Sequence, residues 1–253
     1  MAVRFPLQAL ALAISTSFLL TACSDENKTA QPDAPEQAAT APSESAEKPT
    51  TDSTVSPEAV VSHYADLAHA TFEDALITAK ALDAATDALI ENPTAENLAA
   101  AKQAWLAARV PYQQSEVFRF GNAVIDDWEG QLNAWPLDEG LIDYVKAEGY
   151  QHALGNDGAN ANIIANTELN IGGETMDLST LTPDLLASLN EVGGSEANVA
   201  TGYHAIEFLL WGQDMHGFAA GAGERPASDY AKGDDCTNGH CDRRAAYLDA
   251  VTD

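Results

Sequence analysis

Residues 201–212 read Thr-Gly-Tyr-His-Ala-Ile-Glu-Phe-Leu-Leu-Trp-Gly, and this stretch decides what kind of fold the chain can adopt. Its apolar residues cover every side of a predicted helix, and a helix of that kind is normally buried. His204 and Glu207 stand three residues apart, so on the helix they share a face and can point at one ion. A buried carboxylate is costly unless it meets a cation or several donors. We therefore expect Glu207 to have a partner from outside this segment.

The beginning of the chain has the pattern of an export signal. Residues 1–22 carry one basic residue, then an apolar stretch and small residues that precede Cys23. This pattern is typical of bacterial lipoproteins, in which the cysteine is acylated and anchors the mature protein in a membrane. An ordinary cleaved signal with an incidental Cys23 is the alternative. Ser24 follows the cysteine instead of the aspartate of an inner-membrane retention signal, which favours the outer membrane, facing the periplasm.

Composition separates a linker from a folded body. Residues 23–57 are rich in Ala, Pro, Ser, Thr and acidic residues and contain no aromatic residue, so they predict a disordered tether. Residues 58–253 are long enough to form the folded body. The whole chain has 39 acidic and 12 basic residues and a formal net charge of −27. This charge argues against nucleic acid or anionic lipid as a partner, and it is compatible with either cation binding or an ordinary acidic surface.

Two further cysteines lie near the end of the chain. In an exported protein, Cys236 and Cys241 most simply form a local disulfide. A metal or haem site that includes His240 is the rival interpretation. The haem-attachment pattern Cys-x-x-Cys-His is absent, and a single pair of cysteines is weak evidence for zinc.

The periodicity predicts helices and no strand. The predicted helices run from 57 to about 91, from 94 to 111, from 112 to about 120, from about 139 to 144, from 183 to about 191, around His204, and from 243 onward. Pro111 predicts a kink or a break. The glycine- and asparagine-rich residues 149–173 are expected to form a loop. Trp105, Trp135 and Trp211 are expected in the core.

Four motifs in order resemble those of one known family. They are Ala104-Trp-Leu-Ala-Ala-Arg109, Ser115-Glu-Val-Phe-Arg-Phe120, Asn133-Ala-Trp-Pro-Leu-Asp-Glu139 and Gly202-Tyr-His-Ala-Ile-Glu207. Together they resemble the imelysin family of bacterial envelope proteins, whose hallmark is Gly-x-His-x-x-Glu. This family includes insulin-cleaving metalloproteinases and iron-regulated lipoproteins. The resemblance implies an all-α fold of two bundle-like halves, of which residues 58–253 are expected to hold the first half with long loops and to stop inside the second.

Several chemistries remain open for the pair His204 and Glu207. Imidazole and carboxylate suit iron or zinc, and the resemblance favours iron. A zinc peptidase would need a third ligand, but His-Glu-x-x-His is absent and Phe208 occupies the position of the second histidine in the inverted motif. A buried polar network, in which Arg109 or Arg119 pairs Glu207, is a third possibility.

Three more carboxylates could complete a metal site. Glu116, Asp138 and Glu139 all lie in motifs that resemble the family. Glu116 could instead form an ion pair with Arg119, three residues later, and Asp138 and Glu139 could instead cap a helix.

The sequence as a whole favours a lipid-anchored envelope protein that binds a transition metal, iron rather than zinc, and works with iron-transport proteins. A zinc-dependent peptidase and a protein-binding scaffold are the two alternatives.

Overall fold

A computed structural model describes residues 55–253 of the chain. The predicted signal peptide, the acylation site Cys23 and nearly all of the predicted linker lie outside these residues. Over the range described, no helix is both long enough and apolar enough to cross a membrane. This part of the chain is mainly helical, as predicted, with seven α-helices and one two-stranded sheet.

The first two helices form a hairpin whose ends carry the predicted signals. Helix α1 spans Pro57–Glu91 and α2 spans Ala95–Gln114. The Ser56 hydroxyl accepts the Ala59 N–H at 3.2 Å, and the Thr94 hydroxyl accepts the Asn97 N–H at 3.2 Å. Only the second half of α1 reaches the core. Its earlier apolar residues are exposed, although their spacing predicted the helix correctly: Val60, Val61, Tyr64, Leu67, Leu76 and Ile77.

Pro111 does not break α2, which continues through it to Gln114 before a 3₁₀ segment at Ser115–Phe118. A proline inside a helix removes one backbone hydrogen bond. Here the proline is buried beside Ala108 and Tyr112, on the face that packs into the core. Packing therefore maintains the helix where local propensity predicted an interruption.

Two elements were not predicted from the sequence. Helix α3, Ala123–Leu132, has no buried residue. Its apolar residues nonetheless recur at helical spacing, at Val124, Ile125, Trp128 and Leu132, so this signal was present in the sequence. Strand β1, Glu168–Ile171, lies near the end of the predicted loop and forms an antiparallel hairpin with β2, Glu174–Asp177, which follows that loop. Gly172 and Gly173 connect the strands with φ values of 62° and 83°. A Gly-Gly pair between short strands is a hairpin signal that the sequence did contain.

Four helices remain. They are α4, Glu139–Ile142, α5, Pro183–Ser188, α6, Gly202–Trp211, and α7, Cys241–Thr252. Helix α6 lies at the centre and contacts α2, α3, α4 and α7. Three long-range hydrogen bonds fix it and the residues before it: Trp105 Nε1 to Tyr203 O at 2.8 Å, Tyr230 Oη to Leu209 O at 2.6 Å and Tyr247 Oη to Ala200 O at 2.7 Å.

Candidate functional site

The first residues of α6 are seated on the end of α3. Gly202 has a φ of +82°, and a Cβ built on it would lie 2.5 Å from the carbonyl oxygens of both Gln131 and Leu132. Only glycine fits this conformation and this close approach. The Thr201 hydroxyl donates to Gln131 O at 2.9 Å and accepts from Asn190 Nδ2 at 2.6 Å. These contacts hold the start of α6 in a fixed position.

His204 and Glu207 lie on the partly exposed face of α6. His204 Nδ1 is 3.4 Å from Glu207 Oε2, and the two side chains are 20% and 45% exposed. The ring of Trp135 covers the imidazole, with 5.0 Å between the ring centroids. Trp135 itself is 70% exposed, so its predicted place in the core is wrong. Its indole forms part of the wall beside His204 instead.

The His204–Glu207 pair faces a cleft of about 1150 Å³. The cleft is lined by α6, the segment that enters α4, and two loops. Among its polar lining residues are His204, Glu207, Asp138, Glu139, His152 and Asp214. His152 and Asp214 were not predicted from the sequence, because both lie in loops, where spacing carries no information about which side chains meet.

Glu139 is a half-buried carboxyl in this cleft. Burial raises its pKa from an ordinary value of 4.5 to about 7, the Arg225 charge opposes the rise, and the Asp214 and Glu207 carboxylates add to it. Glu139 therefore lies close enough to Glu207 for the two charges to repel. A cation placed between them would relieve that repulsion.

Asp138 lines the same cleft, but its carboxylate is already occupied. Its two oxygens accept the Ala153 N–H at 3.0 and 3.2 Å, and Oδ2 also accepts Asn156 Nδ2 at 2.6 Å. Asp138 stands at the N-cap position of α4 without a side-chain capping bond. Its carboxylate thus fastens the loop after residue 149 rather than pointing at His204.

The structure does not bring Glu116 to the cleft. Its side chain is 80% exposed on the 3₁₀ segment and lies 3.8 Å from Arg119, which is the alternative ion pair considered above. Neither arginine proposed for Glu207 contacts it: Arg109 donates to Asn133 Oδ1 at 2.6 Å, and Arg119 pairs with Glu129. Glu207 Oε2 instead lies 3.4 Å from His204 Nδ1 on the same helix.

The donors at His204 and Glu207 fit part of a metal site. Two ligands about 2.1 Å from a tetrahedral ion are about 3.4 Å apart, which matches the observed Nδ1–Oε2 separation of 3.4 Å. Within residues 55–253, no three His, Cys, Asp or Glu side chains lie close enough together to hold a metal. The pair can therefore supply two ligands, and Glu139 is the nearby carboxylate whose surroundings favour a cation.

A buried charge cluster behind the cleft was missed from the sequence. Asp143 accepts Arg244 Nε at 2.6 Å, Arg244 Nη2 at 3.0 Å and Arg225 Nη1 at 2.7 Å, and Arg225 Nη1 also lies 3.1 Å from Asp229. Burial raises the pKa of Asp143, but the hydrogen bonds and charges of the two arginines outweigh it and lower the pKa overall. These residues lie up to 101 positions apart in sequence, so no local motif identifies the cluster.

Cys236 and Cys241 form a disulfide with an S–S distance of 2.07 Å. The loop between them covers the charge cluster. Thr237 Oγ1 and Asn238 Nδ2 donate to Asp229 Oδ1 at 2.9 and 2.7 Å, and Gly239 O accepts Arg244 Nη1 at 3.0 Å. The disulfide thus holds a loop that satisfies buried charges.

A family model described as Imelysin matches residues 68–253, which is most of the chain. The chain belongs to the imelysin family. A curated relative, Iron-regulated protein A of Synechococcus elongatus, is 42% identical over 57 residues. These residues are 22% of this chain and only 16% of the relative's length.

The pH dependence of imelysin-domain stability provides a test of the surroundings of Glu139. Because its folded-state pKa is about 7 against an ordinary 4.5, the folded protein holds a proton that the unfolded chain loses. The stability that the protonated Glu139 gives to the folded state is fully present below about pH 4.5 and is lost as the pH rises through about 7. Glutamine resembles the protonated carboxyl at every pH. After discounting for partial exposure, we expect the free energy of unfolding of Glu139→Gln, relative to that of wild type, to be about 1–2 kcal/mol higher at pH 8 than at pH 5.

Urea denaturation of both proteins at pH 5 and pH 8 measures this difference. The effects of other titrating groups are the same in both proteins and therefore cancel. The exposed Glu148→Gln is the matched control and should show no such gain. An equal pH dependence in Glu139→Gln and wild type would mean that Glu139 is solvated.

Proposed function

We propose that this imelysin domain binds a transition-metal ion as cargo at His204 and Glu207, iron in preference to zinc, and that it serves in iron acquisition. The protein would be a lipoprotein anchored through Cys23 in the bacterial outer membrane, facing the periplasm. Iron-transport proteins would be its partners. The domain would hold the ion in the cleft until such a partner takes it.

The observation that carries this proposal is the position of the two donors. His204 Nδ1 and Glu207 Oε2 lie 3.4 Å apart on one helix turn and open into the large cleft. The turn is rigidly seated, because Gly202 packs on α3 and Thr201 is hydrogen-bonded to Gln131. A preorganised pair loses little entropy when it takes up an ion.

The surroundings of the pair also favour a cation. Glu139 and Asp214 line the same cleft, and Glu139 has a raised pKa there. Imidazole with carboxylates suits both iron and zinc. The preference for iron is supported by the name of the Synechococcus elongatus relative, which describes that protein as iron-regulated.

Metal binding by the purified full chain tests the proposal. We expect about one ion per chain, and His204→Ala and Glu207→Ala should each weaken the affinity by more than about 100-fold, because loss of an outer-shell group alone costs about 10–100-fold. Titration calorimetry with Fe²⁺ and with Zn²⁺, together with elemental analysis, gives the stoichiometry and the preference. The exposed His69→Ala and Glu116→Gln are matched controls and should bind as wild type does.

The same variants separate the two alternatives. Cleavage of insulin that stops on chelation and in His204→Ala would indicate the zinc-dependent peptidase. Wild type that binds neither ion would contradict the proposal and favour a protein-binding scaffold in which His204 and Glu207 only pair with each other.

The lipid anchor has a separate test. In bacteria fed labelled palmitate, the wild-type chain should carry the label and sediment with the outer membrane, whereas Cys23→Ser should carry no label and should be lost from the outer-membrane fraction. Label retained in Cys23→Ser would contradict acylation at this position.

A further inference from the structure

The cleft at His204 and Glu207 is much larger than a metal ion requires. Its volume is about 1150 Å³. A water molecule occupies about 30 Å³, so a hydrated ion would leave most of this space to bulk water. Sites for small organic molecules usually have volumes of about 300–1,000 Å³. The cleft therefore has room for an organic molecule beside the ion.

The domain also supplies too few donors to enclose an ion. His204 Nδ1 and Glu207 Oε2 lie 3.4 Å apart, and among residues 55–253 no third His, Cys, Asp or Glu joins them at ligand distance. Iron commonly takes about six ligands, so about four positions are left to donors from elsewhere. Adjacent ligands of a six-coordinate ion are about 3.0 Å apart. The Glu207 side chain is 45% exposed, so it can rotate toward that spacing.

Exposed aromatic side chains line this cleft on two separate segments. Trp135, in the segment that enters α4, is 70% exposed, and its ring centroid lies 5.0 Å from that of His204. Phe218, in the loop after α6, is fully exposed. Apolar surface in contact with water is unfavourable, and a hydrated ion would not cover it. The two rings thus offer contact surface to an organic molecule that is coordinated to the ion.

The charge of the cleft discriminates among organic complexes of iron. Its lining includes four carboxyl side chains, at Asp138, Glu139, Glu207 and Asp214, and over the described part of the chain it includes neither a lysine nor an arginine. An iron complex with an excess of carboxylates is negatively charged and would be repelled, whereas a complex with a net positive charge would be attracted.

We propose that the cleft binds iron as a positively charged complex with a small organic chelator. The chelator occupies about four coordination positions, and the imidazole of His204 and the carboxylate of Glu207 replace two water ligands at the others, with no electron transferred. Trp135 and Phe218 contact the chelator. This inference rests on the proposed binding of iron at His204 and Glu207, and it adds that the chelator stays in the bound complex.

The probe is a linear dihydroxamate with ferric iron, because its two singly charged hydroxamates leave two coordination positions open and a single positive charge. The full chain is equilibrated with this complex, in which the chelator is radiolabelled, and unbound complex is removed by rapid gel filtration. We expect about one iron and about one chelator per chain, together with a shift of the hydroxamate-to-iron absorption band. Ferric EDTA is negatively charged and its chelator fills the ion's coordination positions, so it should not be retained. Binding of Fe²⁺ without chelator is titrated in parallel.

Two variants test the contact surface for the chelator. Trp135→Ala and Phe218→Ala should each weaken binding of the dihydroxamate complex by about tenfold, because each removes apolar area that the chelator would cover. Trp128→Ala and Phe120→Ala are the matched controls. They remove rings that are 59% and 82% exposed but do not line this cleft, so they should bind the complex as wild type does.

Four results would contradict the inference, and they differ in what they leave standing. A chain that retains iron without the label binds the bare ion, so the proposed function stands without the chelator. Retention that is unchanged in His204→Ala means that the complex is not coordinated by the pair. Retention that is unchanged in both Trp135→Ala and Phe218→Ala means that these rings do not contact the chelator. A chain that binds neither Fe²⁺ nor the complex contradicts the proposed function as well.

Discussion

Asp143→Asn is expected to lower the free energy of unfolding by about 3–5 kcal/mol, because it leaves two buried guanidinium groups with one counter-charge. Asp143 receives the bidentate fork of Arg244 and one N–H of Arg225, and all three side chains are 1% exposed. Asparagine has nearly the same shape as aspartate, so the loss reports charge rather than packing. Water cannot reach the cluster to compensate.

Chemical denaturation at neutral pH measures this loss. Glu116→Gln is the matched control, since it neutralises a carboxylate that also pairs with an arginine but is itself 80% exposed. Exposed ion pairs contribute about 0–1 kcal/mol, so the control should change little. Similar losses in the two variants would show that Asp143 does not act as the common counter-ion of Arg225 and Arg244.

Gly202→Ala is expected to destabilise the protein by about 3 kcal/mol or more and to weaken metal binding. At a φ of +82°, any residue with a Cβ costs about 1–3 kcal/mol. The added methyl would also lie 2.5 Å from two backbone carbonyl oxygens of α3, which cannot turn aside as a flexible side chain would. Relief requires α6 to move away from α3, and this displaces His204 and Glu207.

Gly130→Ala gives a control with the opposite sign. Gly130 lies inside α3, and a Cβ there would meet nothing within 4 Å. Alanine in a helix is favoured over glycine by about 0.5–1 kcal/mol, so this variant should be slightly more stable than wild type. Thermal unfolding measures the stability of both variants, and metal titration of each variant that folds measures its affinity for the ion. A stable Gly202→Ala with wild-type metal affinity would contradict the role given to Gly202.

Local signals in the sequence predicted most of the helices, although α3 was missed and α2 continues through Pro111. Ser56 and Thr94 begin helices because a hydroxyl can satisfy an orphan N–H within three residues, and this interaction does not depend on the rest of the fold. The apolar run of α6 was similarly sufficient to predict its burial. Its spacing also placed His204 and Glu207 on one face, since helical geometry fixes the neighbours of a residue three positions away.

Only the tertiary structure decided what surrounds that pair. Asp138 and Glu139 are adjacent in sequence, yet Asp138 is consumed by hydrogen bonds to a loop while Glu139 faces Glu207. Glu116 lies in one of the family-like motifs but points to solvent. The cluster of Asp143, Arg225 and Arg244 joins residues far apart along the chain. Spacing describes one element at a time, whereas burial and charge pairing arise only where separate elements pack together.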